Sequence, residues 1–543
     1  MARMAAPGRS DANDPPGAAA PVTAPDAGGQ AAPGNRSLRR WALRALAACL
    51  VITLFSYGYL AVRFWWHRVK VTTDYRAVVD AWEPEVPEAE RAWPALRSIL
   101  RRTSDEPSGD AGFLLLDGRE AWRPGSTAWK DTQRALDRFS ADLAELRAAT
   151  QRPTLGIRLA KPDPADAPPV IPGTPPSVPD EWADCLLMVR LPYLAAARQA
   201  ARWALADAVH ALHRGDEATF EADVAAALDL ARLVRRPPTL ISQLVGTAIL
   251  AATLNCIQGA VAGPAGEISP ALASRLITRL QALPDEWFEM NLELERLSLA
   301  DARQRLFTDD GAGDGLLAAW DPFFFGLTTA GAPPTPPTGA AAAVGRAAKA
   351  LAWPVAAAAF HSRAEHAAMV DDYFAWVERR NARPLSQRSD GTRGPVEVMM
   401  SSTWKWRWYP TLLLLPALER AADSGAMAKA DRDATVWLLA AAQVRKATGA
   451  WPASLSPLPG PDGREVPPPV DPWTGEPYQW RVLRGHPFLW RQLTRGAAHP
   501  LGALLSAAAE GRAPAREDLE NVMDGAGVVF PRVPPDPESI TGE

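Results

Sequence analysis

The sequence predicts a mainly α-helical protein: helical hairpins in an extracytoplasmic domain, a single N-terminal transmembrane helix and a small C-terminal β-hairpin element. Three observations carry this expectation. An uncharged apolar span lies close to the N-terminus, apolar residues recur at spacings of three and four through much of the remainder, and a turn-rich segment around residues 471–477 precedes two short β-type runs. With 543 residues, 47% hydrophobic and 22% charged, the chain has apolar content for a sizeable core in about two to four domains. Its 58 Lys and Arg are balanced by 62 Asp and Glu, so the basic excess that neutralises phosphates is missing and no nucleic-acid partner is expected. Cys49, Cys185 and Cys256 form no C-x-x-C pair, which argues against a disulfide scaffold and a zinc ribbon.

Residues 1–40 are rich in Ala, Pro and Gly without an apolar period and read as a disordered tail. Residues 41–66 read as a signal anchor that meets the lipid bilayer. Ala45–Val62 is free of charge and spans about 27 Å as a helix, close to the hydrocarbon thickness of a membrane. Trp41, Tyr57, Tyr59, Trp65 and Trp66 supply interfacial aromatics, and Arg44 and Arg63 can reach the headgroups. The exit through Arg63–Arg68 is too bulky for signal-peptide cleavage. Arg36, Arg39, Arg40 and Arg44 place the tail in the cytoplasm, and the body is then expected outside the inner membrane, although Arg63, Arg68, Lys70 and Arg76 weigh on the other side. Residues 237–266 are also free of charge, but their Ser, Thr, Asn and Gln content favours a helix buried inside the domain.

Residues 67–179 form a helical and irregular connector, with helices expected at Trp93–Leu100 and Trp129–Ala149 and an extended Pro-rich stretch over Pro162–Pro179. A helical-hairpin domain follows over 180–308. Asp180-Glu181 is expected to open a long helix ending at Gly215, and Asp216 to cap the next, whose stripe is Phe220, Val224, Ala227, Ala231 and Val234. The hairpin Ala206–Ala231 has tetratricopeptide character without a recurring period. Ser269-Pro270 starts a further helix, and Asp285 is expected to cap another through Phe307. A Gly/Ala/Pro-rich linker over 309–346 leads to a helical region over 347–447, broken at Pro354. Within it Trp404, Trp406 and Trp408 alternate, as on a strand edge or an interfacial patch, with packing onto the body the simpler reading.

Over 448–492, Gly449, Trp451-Pro452 and then Asp471-Pro472-Trp473-Thr474-Gly475-Glu476-Pro477-Tyr478 lead into a hairpin of Tyr478–Leu483 and Phe488–Arg491. This run resembles the region after the helix in type II secretion pseudopilins of the major-pilin type, where a G-x-[YW]-P turn precedes a D-P-W-G-x-P-Y segment opening a small sheet. Together with Pro238–Leu244 (PTLISQL), the chain from Asp180 to Trp490 also resembles a group of uncharacterised single-pass bacterial envelope proteins, which have no activity to carry over. In pseudopilins the membrane helix feeds directly into this fold, whereas here it lies far upstream. Calcium binding beyond this point in pseudopilins would fall on Glu517, Asp518, Glu520 and Asp524, which lack the Asp/Asn-and-Gly alternation of a calcium loop and read as solvated surface of a 493–543 tail.

No catalytic, cofactor or metal site emerges. His210 and His213 lie one turn apart, a spacing that suits a metal but lacks a third ligand; packing is the simpler reading. His361 and His366 do not have the H-E-x-x-H spacing, and their separation sets them on different helix faces. Glu286, Glu289 and Glu293 on one helical face, with Glu295, are candidate glycosidase-type acids set against a solvated face. The expectation is therefore a membrane-anchored envelope protein with a non-enzymatic interaction or scaffold role and a protein partner. The alternatives are an envelope hydrolase and a secretion-system accessory protein.

Overall fold

The long apolar span forms α1 (Asn35–Trp66), so helix starts inside the segment expected as tail. The structure, a computed structural model, describes residues 35–82, 86–104, 127–159, 182, 184–189, 191, 193–262, 268–318, 340–388, 393–408, 415, 417–483, 485–491, 500–512 and 528–530. Residues 1–59 form one unit and residues 60–543 a second. The apolar stretch Arg40–Trp66 is long enough to cross a membrane, and none of its most apolar part is buried. Cys49 is exposed on it, and the Cys49 carbonyl accepts a hydrogen bond from Thr53 Oγ1 at 2.8 Å.

The second unit is mainly helical. It begins with the last turns of α1, followed by α2 (Tyr75–Asp80), α3 (Trp93–Ser104) and α4 (Thr127–Thr150). The hairpin comprises α5 (Tyr193–His213) and α6 (Glu217–Arg235). Gly215, at φ 76°, takes the left-handed conformation that ends α5, and Asp216 accepts from the Thr219 amide at 3.0 Å to start α6. All five residues of the α6 stripe are buried. Leu136, Phe139, Leu143 and Leu146 of α4 are buried with Leu96 and Ile99 of α3 and with the hairpin.

The charge-free segment forms α7 (Leu240–Ala262), which packs against α5 and α6, and about half of it is buried. Its polar residues have partners: Gln258 Nε2 donates to Thr435 Oγ1 at 2.7 Å and Thr253 Oγ1 to the Ile249 carbonyl at 2.9 Å. Then come α8 (Pro270–Gln281), capped by Ser269, and α9 (Glu293–Leu306). These are followed by α10 (Ala340–Ala359), α11 (Arg363–Asn381), α12 (Pro395–Ser401) and the 32-residue α13 (Ala417–Thr448), which packs on α7 and α8. A two-stranded ladder, β1 (Leu458–Pro459) with β2 (Glu465–Val466), precedes the hairpin β3 (Gln479–Leu483) and β4 (His486–Trp490). Gln479 pairs with Trp490 and Leu483 with His486 across a turn in which Gly485 has φ 84°.

Several expectations are corrected. The helix expected to run on from Asp180 is interrupted: Trp182 is helical, but the buried carboxylate of Asp301 captures the Leu186 amide at 2.7 Å, residues 186–188 make a 3₁₀ turn, and the long helix runs from Tyr193. The helix expected from Asp285 is a 3₁₀ turn over Asp285–Phe288, an extended Glu289 and then α9. The linker expected through residue 346 gives way to helix at Ala340, and α10 runs through Pro354 rather than breaking there, forgoing one backbone donor. The tail expected over 493–543 contains α14 (Pro500–Ala509), whose Leu501, Leu505 and Ala508 pack on Phe488 and Trp490, and β5 (Val528–Phe530), paired antiparallel with β4. Trp404–Trp408 is no strand: residues 405–408 form a 3₁₀ turn. The Pro-rich stretch 162–179 and the acids at 517–524 lie outside the described residues.

One hydrophobic cluster gathers α5, α6, α7, α8, α13 and the β3–β4 hairpin, with Trp437 fully buried inside it. The exit of α1 is tied to the same unit by Arg63, whose guanidinium lies 3.3 Å from Asp314, and by Phe64, which packs on Leu316 and Ala357. Gln304 then holds the segment after it, accepting from the Thr72 and Thr73 amides and donating to the Thr73 carbonyl.

Candidate binding groove

A groove of about 1530 Å³ is assembled from four separate stretches of chain. One wall is the loop between α8 and α9. Its extended course is imposed by α7: Gln243 accepts from the Asn291 amide at 2.8 Å and donates from Nε2 to the Asn291 carbonyl at 2.7 Å. Arg235 donates to the Glu289 carbonyl at 3.1 Å and lies over the Trp287 ring, and burial pulls its guanidinium down to about 10. Gln243 belongs to the PTLISQL segment singled out in the sequence, so that motif buries a side chain that shapes the groove wall.

The opposite wall is the end of α11, with Phe374, Glu378 and Asn381, followed by the turn at Leu385–Gln387. Arg380 and Arg388 converge on Asp423 of α13 at 3.1 and 2.9 Å and lock this wall to the floor. The floor is α13 itself, with Ala422, Ala426, Lys429, Arg432 and Asp433. The rim is Pro467–Pro472. It is shaped by Asp471, whose Oδ1 accepts from the Trp473 amide at 2.9 Å and whose carbonyl accepts from the Gly475 amide at 2.8 Å. Gly475 sits at φ 74°, and a side chain there would press on Ser386. Burial raises the carboxyl of Asp471 above its ordinary range.

The cations of the groove are already paired. Lys429 lies 2.7 Å from Asp285, which the Lys429 hydrogen bond holds below the usual carboxylate range. Arg432 lies 2.7 Å from Asp433 and covers the Phe288 ring. Among the described residues, Glu289, Glu293 and Glu378 line the groove, are exposed and make no ion pair. The surface left open is therefore acidic, with proline along one edge.

The residues weighed in the sequence fall elsewhere or take other roles. Glu286 is exposed on the 3₁₀ turn, and Glu286, Glu289 and Glu293 do not share a helical face, because the backbone is extended between them. Glu295 accepts from the Leu240 amide at 2.6 Å, serving the positive end of α7, and its burial raises its pKa. His210 stacks on Trp129 at 3.7 Å and His213 meets the edge of the same ring at 4.6 Å; burial pulls His210 down to about 4. His361 precedes α11 instead of lying on it, so both His361 and His366 reach Trp408, with the two imidazoles 6.4 Å apart. Cys185 and Cys256 are buried and unbridged, and burial pushes both thiols up to about 12. No group of three His, Cys, Asp or Glu arranged to hold a metal occurs among the described residues.

Sequence reasoning missed Asp285, Lys429, Arg432 and Glu378 as groove residues. They stand far apart in the chain, and no spacing signal joins them. No family model matches the chain, and no curated protein and no solved structure matches it.

Proposed function

We propose that the chain is a single-pass protein of the inner membrane, anchored by α1, whose body stands on the extracytoplasmic side and binds a protein partner without catalysing a reaction. The observation that carries the anchoring is the apolar stretch of α1, none of whose most apolar part is buried, which water alone would not tolerate. The observation that carries the binding role is the groove, with Glu289, Glu293 and Glu378 unpaired beside Pro467–Pro469. That combination suits an extended basic segment, because its Lys or Arg would find carboxylates not already neutralised.

A photo-crosslinking residue in place of Val470, exposed on the rim, or of Trp473, exposed just beyond it, should capture one reproducible protein in native membranes. Capture should fall at least tenfold in a chain carrying Glu289→Lys and Glu293→Lys. No capture at either position, together with hydrolytic activity of the purified chain, would overturn the reading in favour of an envelope hydrolase. Orientation has its own measurement: protease added to intact spheroplasts should cut the body, and protection until lysis would reverse the topology.

A second reading, a secretion-system accessory, is supported by the Asp471–Tyr478 turn feeding an antiparallel sheet, the order of elements its resemblance to pseudopilins implies. The same crosslink separates the two, since a secretion component would then be the captured protein.

A further inference from the structure

The exposed face of α10 is apolar. Val344, Ala348, Leu351, Val355 and Ala359 follow at spacings of three and four, all exposed, with Val344 at 69% and Leu351 at 63%. The opposite side of the helix, with Pro354 and Ala357, is buried. A helix packed on a soluble body turns its polar side to water. Here the face turned outward is apolar, and the charged residues in the helix sequence, Arg346 and Lys349, are basic.

A second exposed apolar group lies next to it. Trp404 is 62% and Trp406 41% exposed, and Val398 and Met400 of the neighbouring α12 are exposed as well. Rings connect this group to the exit of α1. Trp404 lies 6.0 Å from Trp406, Trp406 5.5 Å from Phe360 and Phe360 6.5 Å from Trp353. Trp353 packs in the cluster of Phe64, Leu316 and Ala357, and Phe64 meets exposed Trp65 edge-on at 5.3 Å. Lys405, between the two exposed tryptophans, is exposed too. Tryptophan beside a cation is the composition of a membrane interface, where the ring sits at the headgroup level and the cation meets lipid phosphate.

We propose that the exposed face of α10 and the Trp404–Trp406 segment form a second membrane contact, lying in the interfacial layer of the bilayer that α1 crosses. The occupant is lipid rather than protein because packed rings, Trp406 on Phe360 and Phe360 on Trp353, join the patch to Phe64, where the chain leaves the apolar helix beside exposed Trp65 and Trp66. The anchor alone would let the body swing on the segment after Trp66; this contact would hold it against the surface. The proposal rests on the anchored reading above.

The test uses the full chain in bilayer nanodiscs of mixed anionic and neutral lipid. Single cysteines are placed by Trp404→Cys, Tyr59→Cys or Trp473→Cys in a Cys49→Ser background, with Cys185 and Cys256 buried and unlabelled. Each is labelled with an environment-sensitive fluorophore and quenched by brominated lipid or by aqueous iodide. The label at 404 should be quenched by brominated lipid at least twofold more than at 473 and be protected from iodide, and replacing anionic lipid by neutral lipid or Lys405→Glu should reduce the difference. If the label at 59 is lipid-quenched and that at 404 behaves like that at 473, this inference fails and the anchor stands. Protection at 404 from both quenchers would overturn it in favour of a protein neighbour. If position 59 escapes lipid quenching, the anchored reading itself falls.

Discussion

His366 provides a test of the packing that can be worked through in numbers. Its imidazole is almost wholly buried, 5.0 Å from Phe307 and 5.7 Å from Trp408, and desolvation with the nearby His361 and Arg303 pulls it from 6.5 down to about 3. The folded protein therefore holds this histidine neutral at pH values where the unfolded chain protonates it. Below pH 6.5 the unfolded state binds the extra proton, so the stability present above that pH is lost as pH falls toward 3. The loss is about 1.4 kcal/mol per pH unit, or about 2.7 kcal/mol by roughly two units below 6.5. Other groups titrate in the same window, and Asp223, raised to about 7 by burial, acts with the opposite sign. The difference between wild type and His366→Gln isolates the imidazole. In urea unfolding of the full chain in nanodiscs, read by tryptophan fluorescence, the difference should be constant above pH 7 and close by about 2.7 kcal/mol near pH 4.5. Parallel stability curves from pH 7.5 to 4.5 would refute the buried, neutral assignment.

Three further outcomes follow from the same structure. Arg147 holds fully buried Asp223 at 2.6 Å and Asp207 at 2.6 Å, so Arg147→Met should destabilise the chain in urea unfolding, more at pH 8 than at pH 6 because buried Asp223 must then take up a proton, and adding Asp223→Asn should restore most of the loss. Gly425→Ala would set a methyl group against the Phe288 carbonyl, backbone to backbone, so hydrogen exchange over residues 285–292 should accelerate and rim crosslinking should fall. Gln243→Ala should cost roughly 1–3 kcal/mol, loosen the same loop by hydrogen exchange and leave α10 unchanged.

What the sequence made legible is what local chemistry decides. Gly215-Asp216 and Ser269-Pro270 each carry their own stop or start signal, and both sit where that signal puts them. The β3–β4 hairpin likewise follows from its turn. Elements that depend on a distant partner were not legible. Pro284-Asp285 has the form of a helix start, but Gln243 and Arg235, reaching from two other helices, draw the following residues into an extended path. Leu186 should be helical by its neighbours, yet Asp301 takes its amide from 115 residues away. The face of α14 has meaning only once Phe488 and Trp490 stand opposite it. The groove is the extreme case, since no single segment contains enough of it to recognise.

The rim of the groove is held by the same core that the helical hairpins build. Trp437 and Trp480 meet at 4.9 Å inside the main cluster, and each sends its indole N–H outward, to the Ser456 carbonyl at 2.9 Å and the Pro452 carbonyl at 2.8 Å. Those two bonds fix the loop after α13, and the Tyr478 amide, donating to the Pro469 carbonyl at 3.0 Å, fixes the prolines of the rim. The wall between α8 and α9 is fastened through buried Phe288 beneath Arg432, and the wall at the end of α11 through Asp423. Closing the groove would therefore require breaking aromatic and ionic contacts on every side rather than bending a hinge. On the binding role proposed above, such a site would be filled without collapsing, and the ordering cost would fall on the incoming segment.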